Sequence, residues 1–365
     1  MKKRICFNIY DVNAKGGEER MCTILANSLA LAGYDVSICS FRSHSNVSSF
    51  FPIDTQVRVC HMLGSFAKRQ IQRLFPFCNY AANQYKAFLK NHKIDVIIDV
   101  DTDRTPFTAP VAKELGIKHI AWDHFCYGRF KQRSISKEIY PHLLQDVDKL
   151  VVLTKDDAYA YCHDAKIPRV KITQIYNSSP IQENVQHEHH SYTVLAMGRL
   201  TYQKGFDILL EAWHLIAGDF PDWTLKIVGE GEDRDKLQEQ LVRLDLKNVQ
   251  LAPATVNPRE EYLHADIFVL SSRYEGLGLV LLEAANMSLP LVAFDCDNGP
   301  REIVQDGVNG FLVKQHDIPM LADRIRTLIT DPDLRRKMSN NALGSVTKFR
   351  TEYILDQWIQ LIENL

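Results

Sequence analysis

Residues 271–304 read SSRYEGLGLVLLEAANMSLPLVAFDCDNGPREIV, and this stretch decides the fold of the chain. The apolar run Ile267–Leu270 before it has the length of a buried strand, and the apolar run from Leu279 to Met287 favours a helix. Gly276 and Gly278 therefore lie in a strand-to-helix turn. Free N–H groups and the helix dipole at such a turn favour an anion, most often a phosphate.

Two glutamates, Glu275 and Glu283, accompany this turn with seven residues between them. Glu283 falls inside the predicted helix, where its side chain can reach back toward the turn. A carboxylate does not bind phosphate, but it accepts hydrogen bonds from a vicinal diol such as a ribose. Phosphate donors beside a diol acceptor indicate a nucleotide site. The alternative is a pair of loop glycines followed by a solvated helix glutamate.

Strands and helices alternate along the rest of the chain, which predicts the α/β class with parallel sheets. At 365 residues the chain exceeds the size of a single core, so we expect two Rossmann-like domains. Residues 4–10 predict the first strand, and Met21 to Ala32 the first helix. Between them lies Gly16-Gly17, either a ligand-binding turn at the end of the first strand or a plain tight turn.

The stretch 178–191 is polar and lacks periodicity, so we interpret it as the interdomain linker. Its histidines could bind a metal, but a solvated linker is the favoured interpretation. The predicted domains are therefore 1–180 and 181–345, followed by a helical segment 346–365 that crosses back to the first domain.

Composition points to a cytoplasmic protein. The eight cysteines include no C-x-x-C pair, which favours reduced, buried thiols over disulfides or a zinc site. The basic start is followed by an apolar run that stops at Asp11, too short for a signal peptide. No run of about 18 apolar residues predicts a membrane span.

Charge is divided unevenly between the two halves. Residues 1–180 contain 25 Lys and Arg against 17 Asp and Glu, while the remainder contains 18 against 28. A basic half indicates an anionic partner, which could be a nucleic acid, an anionic membrane surface or a diphosphate. Segment 61–92 mixes basic and aromatic residues and could rest on an anionic bilayer. The alternative is a surface helix whose apolar side faces the core.

Polar residues follow two predicted strands of the first half. Asp99, Asp101 and Asp103 could hold a divalent cation, or they could serve in a turn and a helix cap. His124 comes directly after the strand ending at Trp122, where it could enter a ligand cleft or simply pack.

Two cations follow the first strand of the second half, Arg199 and Lys204. A guanidinium offers a planar fork for phosphate oxygens, and an ammonium offers a point charge. Together they could hold a diphosphate without a metal and stabilise the charge of a departing nucleoside diphosphate. Two solvated surface cations are the alternative.

These residues together resemble glycosyltransferase family 4, a retaining family with the GT-B fold, over essentially the full length. Four motifs carry the resemblance: residues 16–20 (GGEER), 198–205 (GRLTYQKG), 272–284 (SRYEGLGLVLLEA) and 307–312 (GVNGFL). It implies two Rossmann-like domains that face a central cleft. The first would bind the acceptor and the second the nucleotide sugar.

The resemblance also implies roles for single residues. Arg199 and Lys204 would bind the donor diphosphate, Glu283 the ribose hydroxyls and Glu275 hydroxyls of the donor sugar. The remaining site residues are backbone N–H donors, a turn residue that closes over donor phosphate and acceptor, and a histidine near the transferred sugar: Gly276 to Val280 including Leu279, Gly17 and His124.

The chemistry implied by the resemblance is retaining transfer without a divalent metal or other cofactor. The acceptor would attack on the face that the diphosphate leaves, and the leaving phosphate would help to deprotonate the acceptor, so Glu275 is not a nucleophile. Two departures are visible. Ala252-Pro253-Ala254 replaces a glycine-containing loop near the base, and Ser288 stands where glycine is common.

We therefore predict a hexosyltransferase that moves a sugar from a nucleotide sugar, such as a UDP-sugar, to a sugar hydroxyl. The acceptor would be an oligosaccharide linked to a lipid diphosphate, in bacterial O-antigen, capsule or exopolysaccharide biosynthesis. The enzyme would be cytoplasmic, with peripheral contact to the inner face of the membrane. The alternatives are a transferase of the same fold with a small soluble acceptor and a non-catalytic nucleotide-sugar-binding protein. The acidic second half argues against nucleic acid.

Overall fold

The computed structural model describes residues 2–42, 49–62, 78–130, 144–182 and 191–365. The histidines of the predicted linker and residues 63–77 of the predicted membrane-facing segment lie outside the described residues. The chain divides into two compact units, Met1–Ser178 with Thr351–Leu365, and Ser179–Arg350. These limits differ by a few residues from the predicted ones.

Unit 1 is built on a seven-stranded parallel sheet with the order β3-β2-β1-β4-β5-β6-β7. Its strands are β1 Arg4–Ile9, β2 Asp35–Ser40, β3 Arg58–His61, β4 Val96–Val100, β5 Lys118–Trp122, β6 Lys149–Val152 and β7 Ile172–Gln174. Its described α-helices are Gly17–Leu31, Cys78–Asn91, Thr105–Leu115, Tyr127–Phe130, Lys155–His163 and Thr351–Glu363. Every residue of β4 is buried, as expected for a parallel strand covered by helices on both faces.

Local sequence explains where the elements of unit 1 differ from prediction. The first helix begins at Gly17, four residues before the predicted Met21, because Glu18 and Glu19 are favourable in a first helical turn. The helix Thr105–Leu115 was not predicted, and it contains Pro110 in its interior. The edge strand Arg58–His61 was also missed, since it has only four residues and starts exposed.

The C-terminal helix Thr351–Glu363 belongs to unit 1 although the chain reaches it last. Its Trp358 is fully buried and meets the Trp122 ring edge-on at a centroid distance of 4.9 Å. Near its end, the Tyr34 hydroxyl donates a hydrogen bond to Glu363 Oε1 at 2.6 Å. The helix is thus bound to β5 and to the segment that precedes β2.

Unit 2 contains a six-stranded parallel sheet with the order β10-β9-β8-β11-β12-β13. Its strands are β8 Thr193–Met197, β9 Thr224–Val228, β10 Val249–Ala252, β11 Ile267–Leu270, β12 Leu291–Asp295 and β13 Gly310–Lys314. Its α-helices are Phe206–His214, Arg234–Arg243, Pro258–Leu263, Leu279–Asn286, Pro300–Ile303, Ile318–Thr330 and Pro332–Ser345.

The strand order of unit 2 reverses at β8, which pairs with β9 on one side and β11 on the other. In a parallel sheet the carboxyl ends of neighbouring strands meet at the same edge, and ligands bind where the order reverses. The loops that follow β8 and β11 are therefore brought side by side. They carry the two motifs predicted to bind the donor.

No described helix is long and apolar enough to cross a membrane. The seven cysteines whose side chains are described are all free; five of them are buried and two, Cys60 and Cys162, are half-buried.

Candidate active site

The loop 198–205 after β8 is fastened to the loop that begins at Ser271 after β11. Gly205 has φ +62°, and a Cβ atom there would lie 2.2 Å from the carbonyl oxygen of Ser271. Only glycine permits this backbone approach. The Ser271 hydroxyl donates to the Lys204 carbonyl at 3.0 Å, and the Arg273 N–H donates to the Gln203 carbonyl at 2.8 Å. These contacts fix Lys204 relative to the second loop.

Lys204 and Glu275 form an ion pair at the centre of this contact. Lys204 Nζ lies 2.6 Å from Glu275 Oε1. The Ser272 hydroxyl donates to the same oxygen at 2.6 Å. Glu275 and Ser272 are buried, with 5% and 0% of their surface exposed, so water screens the pair little. The structure therefore brings Lys204, one of the two residues predicted to bind the diphosphate, together with Glu275, predicted to bind the donor sugar.

A second ion pair reinforces the same two loops. Arg273 binds Asp207 through two nitrogens, Nη1–Oδ1 at 2.9 Å and Nη2–Oδ2 at 2.6 Å. Its Nη1 also donates to the Tyr202 carbonyl, and its guanidinium lies 4.0 Å from the centroid of the Tyr202 ring. Partial burial raises the pKa of the Asp207 carboxyl, but the hydrogen bonds and charge of Arg273, with backbone hydrogen bonds, outweigh it, so the pKa is lowered overall. Sequence reasoning missed this pair, because no spacing rule connects the two positions.

The turn predicted after β11 is present, and Gly278 is its N-cap residue with φ +84°. The helix Leu279–Asn286 follows, so Leu279 and Val280 lie in its first turn. The first N–H groups of a helix have no intrahelical acceptor. Gly276, Leu279 and Val280 are all partly exposed, as a ligand contact requires.

Glu283 is buried in that helix with 3% of its surface exposed. The hydroxyl of Tyr262, which is fully buried, donates to Glu283 Oε2 at 2.7 Å. The alternative interpretation, a solvated helix glutamate, is therefore wrong, because the carboxylate is buried and held by a specific partner. Tyr262 escaped the sequence analysis because it lies in the separate helix Pro258–Leu263.

Arg199 follows β8 by two residues and is exposed. Among the described residues it forms no ion pair with a carboxylate. The structure therefore does not gather Arg199 into the Lys204–Glu275 cluster. The Arg199 side chain is instead exposed on the loop that follows β8.

His124 lies in unit 1, two residues beyond the end of β5. Its ring packs on Trp122 at a centroid distance of 4.2 Å. Its Nε2 is buried and has no hydrogen-bond partner among the described residues. Burial, followed by the positive charge of Arg104, lowers the His124 pKa to about 3, so the imidazole is neutral at physiological pH.

The neighbouring Asp123 is buried and accepts hydrogen bonds from the Tyr161 hydroxyl at 2.6 Å and from the Phe125 N–H at 3.1 Å. Burial, then the charges of Asp101 and Asp157, raises the Asp123 pKa to about 8. These two hydrogen bonds of Asp123 thus fix the start of the loop that carries His124.

Gly17 is the first residue of the helix that follows β1. Glu19, in the first turn of this helix, is buried, and burial raises the pKa of its carboxyl. Gly17 and His124 belong to unit 1, whereas Arg199, Lys204, Glu275 and Glu283 belong to unit 2.

Asp99 forms a buried hydrogen-bonding centre. It accepts bonds from side chains on β1, on the helix after β4 and on β5: Asn8 Nδ2 at 2.8 Å, Thr105 Oγ1 at 3.1 Å, Thr108 Oγ1 at 2.5 Å and His119 Nε2 at 2.7 Å. Asp101 lies 3.6 Å from Arg104. Among the described residues no group of three or more His, Cys, Asp and Glu could hold a metal ion.

Comparison with known families agrees with this architecture. Residues 15–181 match the family described as Glycosyltransferase Family 4, and residues 178–344 match Glycosyl transferases group 1. An uncharacterized glycosyltransferase of Haemophilus influenzae is 31% identical over 98% of this chain and 99% of its own. The chain therefore belongs to the family 4 glycosyltransferases and is a glycosyltransferase enzyme.

Two further relatives match nearly the full length. The amylovoran biosynthesis glycosyltransferase AmsD of Erwinia amylovora is 28% identical over 96% of this chain and 97% of its own. A Campylobacter jejuni enzyme is 27% identical over 98% of each chain. It is named GalNAc-alpha-(1->4)-GalNAc-alpha-(1->3)-diNAcBac-PP-undecaprenol alpha-1,4-N-acetyl-D-galactosaminyltransferase.

Solved structures share the fold over the whole chain. Sucrose-phosphate synthase from Thermosynechococcus elongatus has a TM-score of 0.85 at 19% identity and covers 99% of both chains. A mutant of S. aureus TarM, in complex with Fondaparinux, alpha-GlcNAc-glycerol and UDP, has a TM-score of 0.81 at 17% identity. It covers 99% of this chain and 100% of its own. These likenesses establish the GT-B fold, as the resemblance implied.

Proposed function

We propose that this enzyme transfers a hexose or N-acetylhexosamine from a UDP-sugar to a sugar hydroxyl of a lipid-diphosphate-linked acceptor, with retention of anomeric configuration. The observation that carries the proposal is the pairing of Lys204 with Glu275 next to the start of the helix that holds Glu283. A cation, a helix N-terminus and two separately held carboxylates are the groups that a nucleotide sugar requires.

Lys204 is the proposed partner of the donor diphosphate. When the bond from the anomeric carbon to the phosphate oxygen breaks, its electron pair stays on the diphosphate, and a positive charge in a dry site stabilises that charge. The acceptor oxygen then bonds to the anomeric carbon on the same face and passes its proton to the departing phosphate. Arg199, which is exposed on the loop after β8, would contact the diphosphate when the donor is bound.

The two glutamates take different parts of the donor in this proposal. Glu275 is held by Lys204 and Ser272 and accepts hydrogen bonds from hydroxyls of the transferred sugar. Glu283 accepts hydrogen bonds from the ribose. Backbone N–H groups of Gly276, Leu279 and Val280 complete the contact with the anionic part of the donor.

In this proposal unit 1 binds the acceptor, Gly17 closes over the donor phosphate and the acceptor, and His124 serves the transferred sugar. The neutral His124 imidazole, whose buried Nε2 has no partner among the described residues, can hydrogen-bond a sugar hydroxyl without adding charge.

Two relatives support a polysaccharide setting. One is named for amylovoran biosynthesis, and the other carries an undecaprenol-linked acceptor in its name.

A peripheral position at the inner face of the cytoplasmic membrane follows from a lipid-linked acceptor. The excess of Lys and Arg in residues 1–180 favours an anionic surface.

For the donor, solved structures of TarM and of Anabaena HepE, which has a TM-score of 0.81 here, contain UDP. No divalent metal or other cofactor takes part in the proposed reaction.

The test is a transfer assay that crosses a panel of nucleotide sugars with two acceptors, a lipid-diphosphate-linked disaccharide and the same disaccharide in free form. We expect turnover with a UDP-sugar, a preference for the lipid-linked acceptor, and a product whose anomeric proton coupling in NMR matches that of the donor. Equal rates with both acceptors would instead support a soluble acceptor. Donor binding without transfer to either acceptor would support a non-catalytic protein, and an inverted product would exclude retention.

A further inference from the structure

We infer that Tyr262 is a positioning residue for the donor ribose and acts through Glu283. This inference rests on the proposed function, because it assumes that Glu283 binds the ribose of a nucleotide sugar. It adds a residue to the site that lies outside the two motif loops. Tyr262 comes from the helix Pro258–Leu263, which precedes β11.

Distance decides which acceptor the Tyr262 hydroxyl uses. Its oxygen lies 2.7 Å from Glu283 Oε2 and 3.4 Å from the Val280 carbonyl oxygen. A hydroxyl has a single proton to donate, and a carboxylate is the stronger acceptor. The proton therefore goes to Glu283, and the Val280 contact is at most a weak second one.

Both partners are buried, so the bond is worth more than the same bond in water. Tyr262 is 0% exposed and Glu283 is 3% exposed. The Tyr262 ring is itself held against Phe268 of β11 at a centroid distance of 5.7 Å. A carboxylate with a fixed buried donor has a restricted set of rotamers. A restricted rotamer lowers the entropic cost of binding a ligand.

A carboxylate has about four lone-pair sites, so it can accept a hydrogen bond from a tyrosine and from ribose hydroxyls together. Ribose binding to Glu283 is therefore compatible with the Tyr262 hydrogen bond. Removing the phenol oxygen would remove one restraint on the Glu283 rotamer and leave a buried carboxylate with one donor fewer.

The experiment compares nucleotides with and without ribose hydroxyls. Isothermal titration calorimetry would measure UDP and 2′,3′-dideoxy-UDP binding to wild type, Tyr262→Phe and Glu283→Gln. We expect Tyr262→Phe to weaken UDP binding roughly tenfold, the scale of one hydrogen bond to a charged group, and to leave dideoxy-UDP binding unchanged. A purely structural role of the tyrosine would weaken both ligands alike, and that result overturns the inference.

Tyr34→Phe is the matched control, because Tyr34 also donates to a glutamate, Glu363, at 2.6 Å but lies in unit 1. It should bind both nucleotides as wild type does. Circular dichroism of each variant establishes that it folds. If Glu283→Gln weakens UDP while Tyr262→Phe does not, only the role of Tyr262 fails. If Glu283→Gln binds UDP as wild type does, or wild type binds no UDP, the proposed site fails and the inference with it.

Discussion

Lys204 and Glu275 are 71 residues apart in the chain, and yet their charged groups lie 2.6 Å from each other. Each is the side chain on which one predicted motif depends. Because β8 and β11 are neighbours, the loops that follow them meet, and the cation of one motif neutralises the buried carboxylate of the other. A diphosphate that binds Lys204 must therefore share it with Glu275.

Replacing the lysine tests this relationship. Lys204→Ala should weaken nucleoside diphosphate binding by about 10- to 100-fold, since a charged hydrogen bond is lost and Glu275 is left buried without its counter-ion. Calorimetry with UDP and uridine separates the effects, because uridine has no phosphate and should be little affected. Lys226→Ala, which breaks the Lys226–Glu261 pair in the same unit, is the control. Equal losses for UDP and uridine would rule out a phosphate contact.

Gly205 should not tolerate even a methyl group. Gly205→Ala adds a left-handed backbone penalty and a Cβ atom 2.2 Å from the Ser271 carbonyl oxygen. We expect the free energy of unfolding of unit 2 to fall by at least about 2 kcal/mol in urea titrations. Gly344→Ala is a suitable control, because no atom outside its chain neighbours and its own helix backbone lies within 4 Å of the added Cβ. It should be at least as stable as wild type, with a gain of up to about 1 kcal/mol because alanine favours a helix, and an equal loss in both variants would contradict the close approach.

His124, which is half-buried with its Nε2 buried, should contribute a loss of stability in acid, opposite in sign to the contribution of Asp123 with its raised pKa. Because the His124 pKa is lowered to about 3 in the folded state, the unfolded chain takes up a proton first as the pH falls below the ordinary value of about 6.5. The contribution of His124 to stability is therefore present above that value and is lost toward pH 3. Between pH 7 and pH 5 the loss should amount to about 1–2 kcal/mol.

The difference between wild type and His124→Gln in urea unfolding at both pH values measures this contribution, because the opposing effect of Asp123 is common to both proteins. The variant should lose less stability on acidification than wild type. His264→Gln, at an exposed position, controls for the removal of a histidine as such. The same pH dependence in wild type and in His124→Gln would show that the imidazole is not held neutral.

Transfer should continue when divalent metals are removed. Asp99 is occupied by four protein donors, and Lys204 supplies a positive charge for the diphosphate. After extensive dialysis of the enzyme against a chelator, the transfer rate in excess EDTA should equal the transfer rate with added Mg²⁺. A loss of activity that Mg²⁺ restores would instead support metal binding by an acidic cluster such as Asp101 and Asp103.

The sequence alone predicted the strand, turn and helix from Ile267 to Asn286 nearly as observed. Each of these elements is encoded locally, by an apolar run, by Gly278 and by a second apolar run. The positive φ of Ser288, at +56°, likewise agrees with the expectation that this position favours glycine. Local signals of this kind also gave most of the other strands.

Pairings between distant residues could not be predicted in the same way. The contacts of Lys204 with Glu275 and of Tyr262 with Glu283 depend on the order and register of parallel strands, which no short pattern specifies. The Asp207–Arg273 pair has the same origin. Short edge strands such as Arg58–His61 are missed for another reason, because too few of their residues are buried to produce a recognisable sequence pattern.

The last helix has a consequence for the order in which the protein can be made. Unit 2 is one continuous stretch, Ser179–Arg350, whereas unit 1 needs Thr351–Leu365 to cover Trp122 with Trp358. A chain that leaves the ribosome from its N-terminus can therefore complete the second unit before the first. Until residues 351–365 emerge, the nascent first unit carries an uncovered aromatic surface, and translation that stops before them leaves that surface open to aggregation.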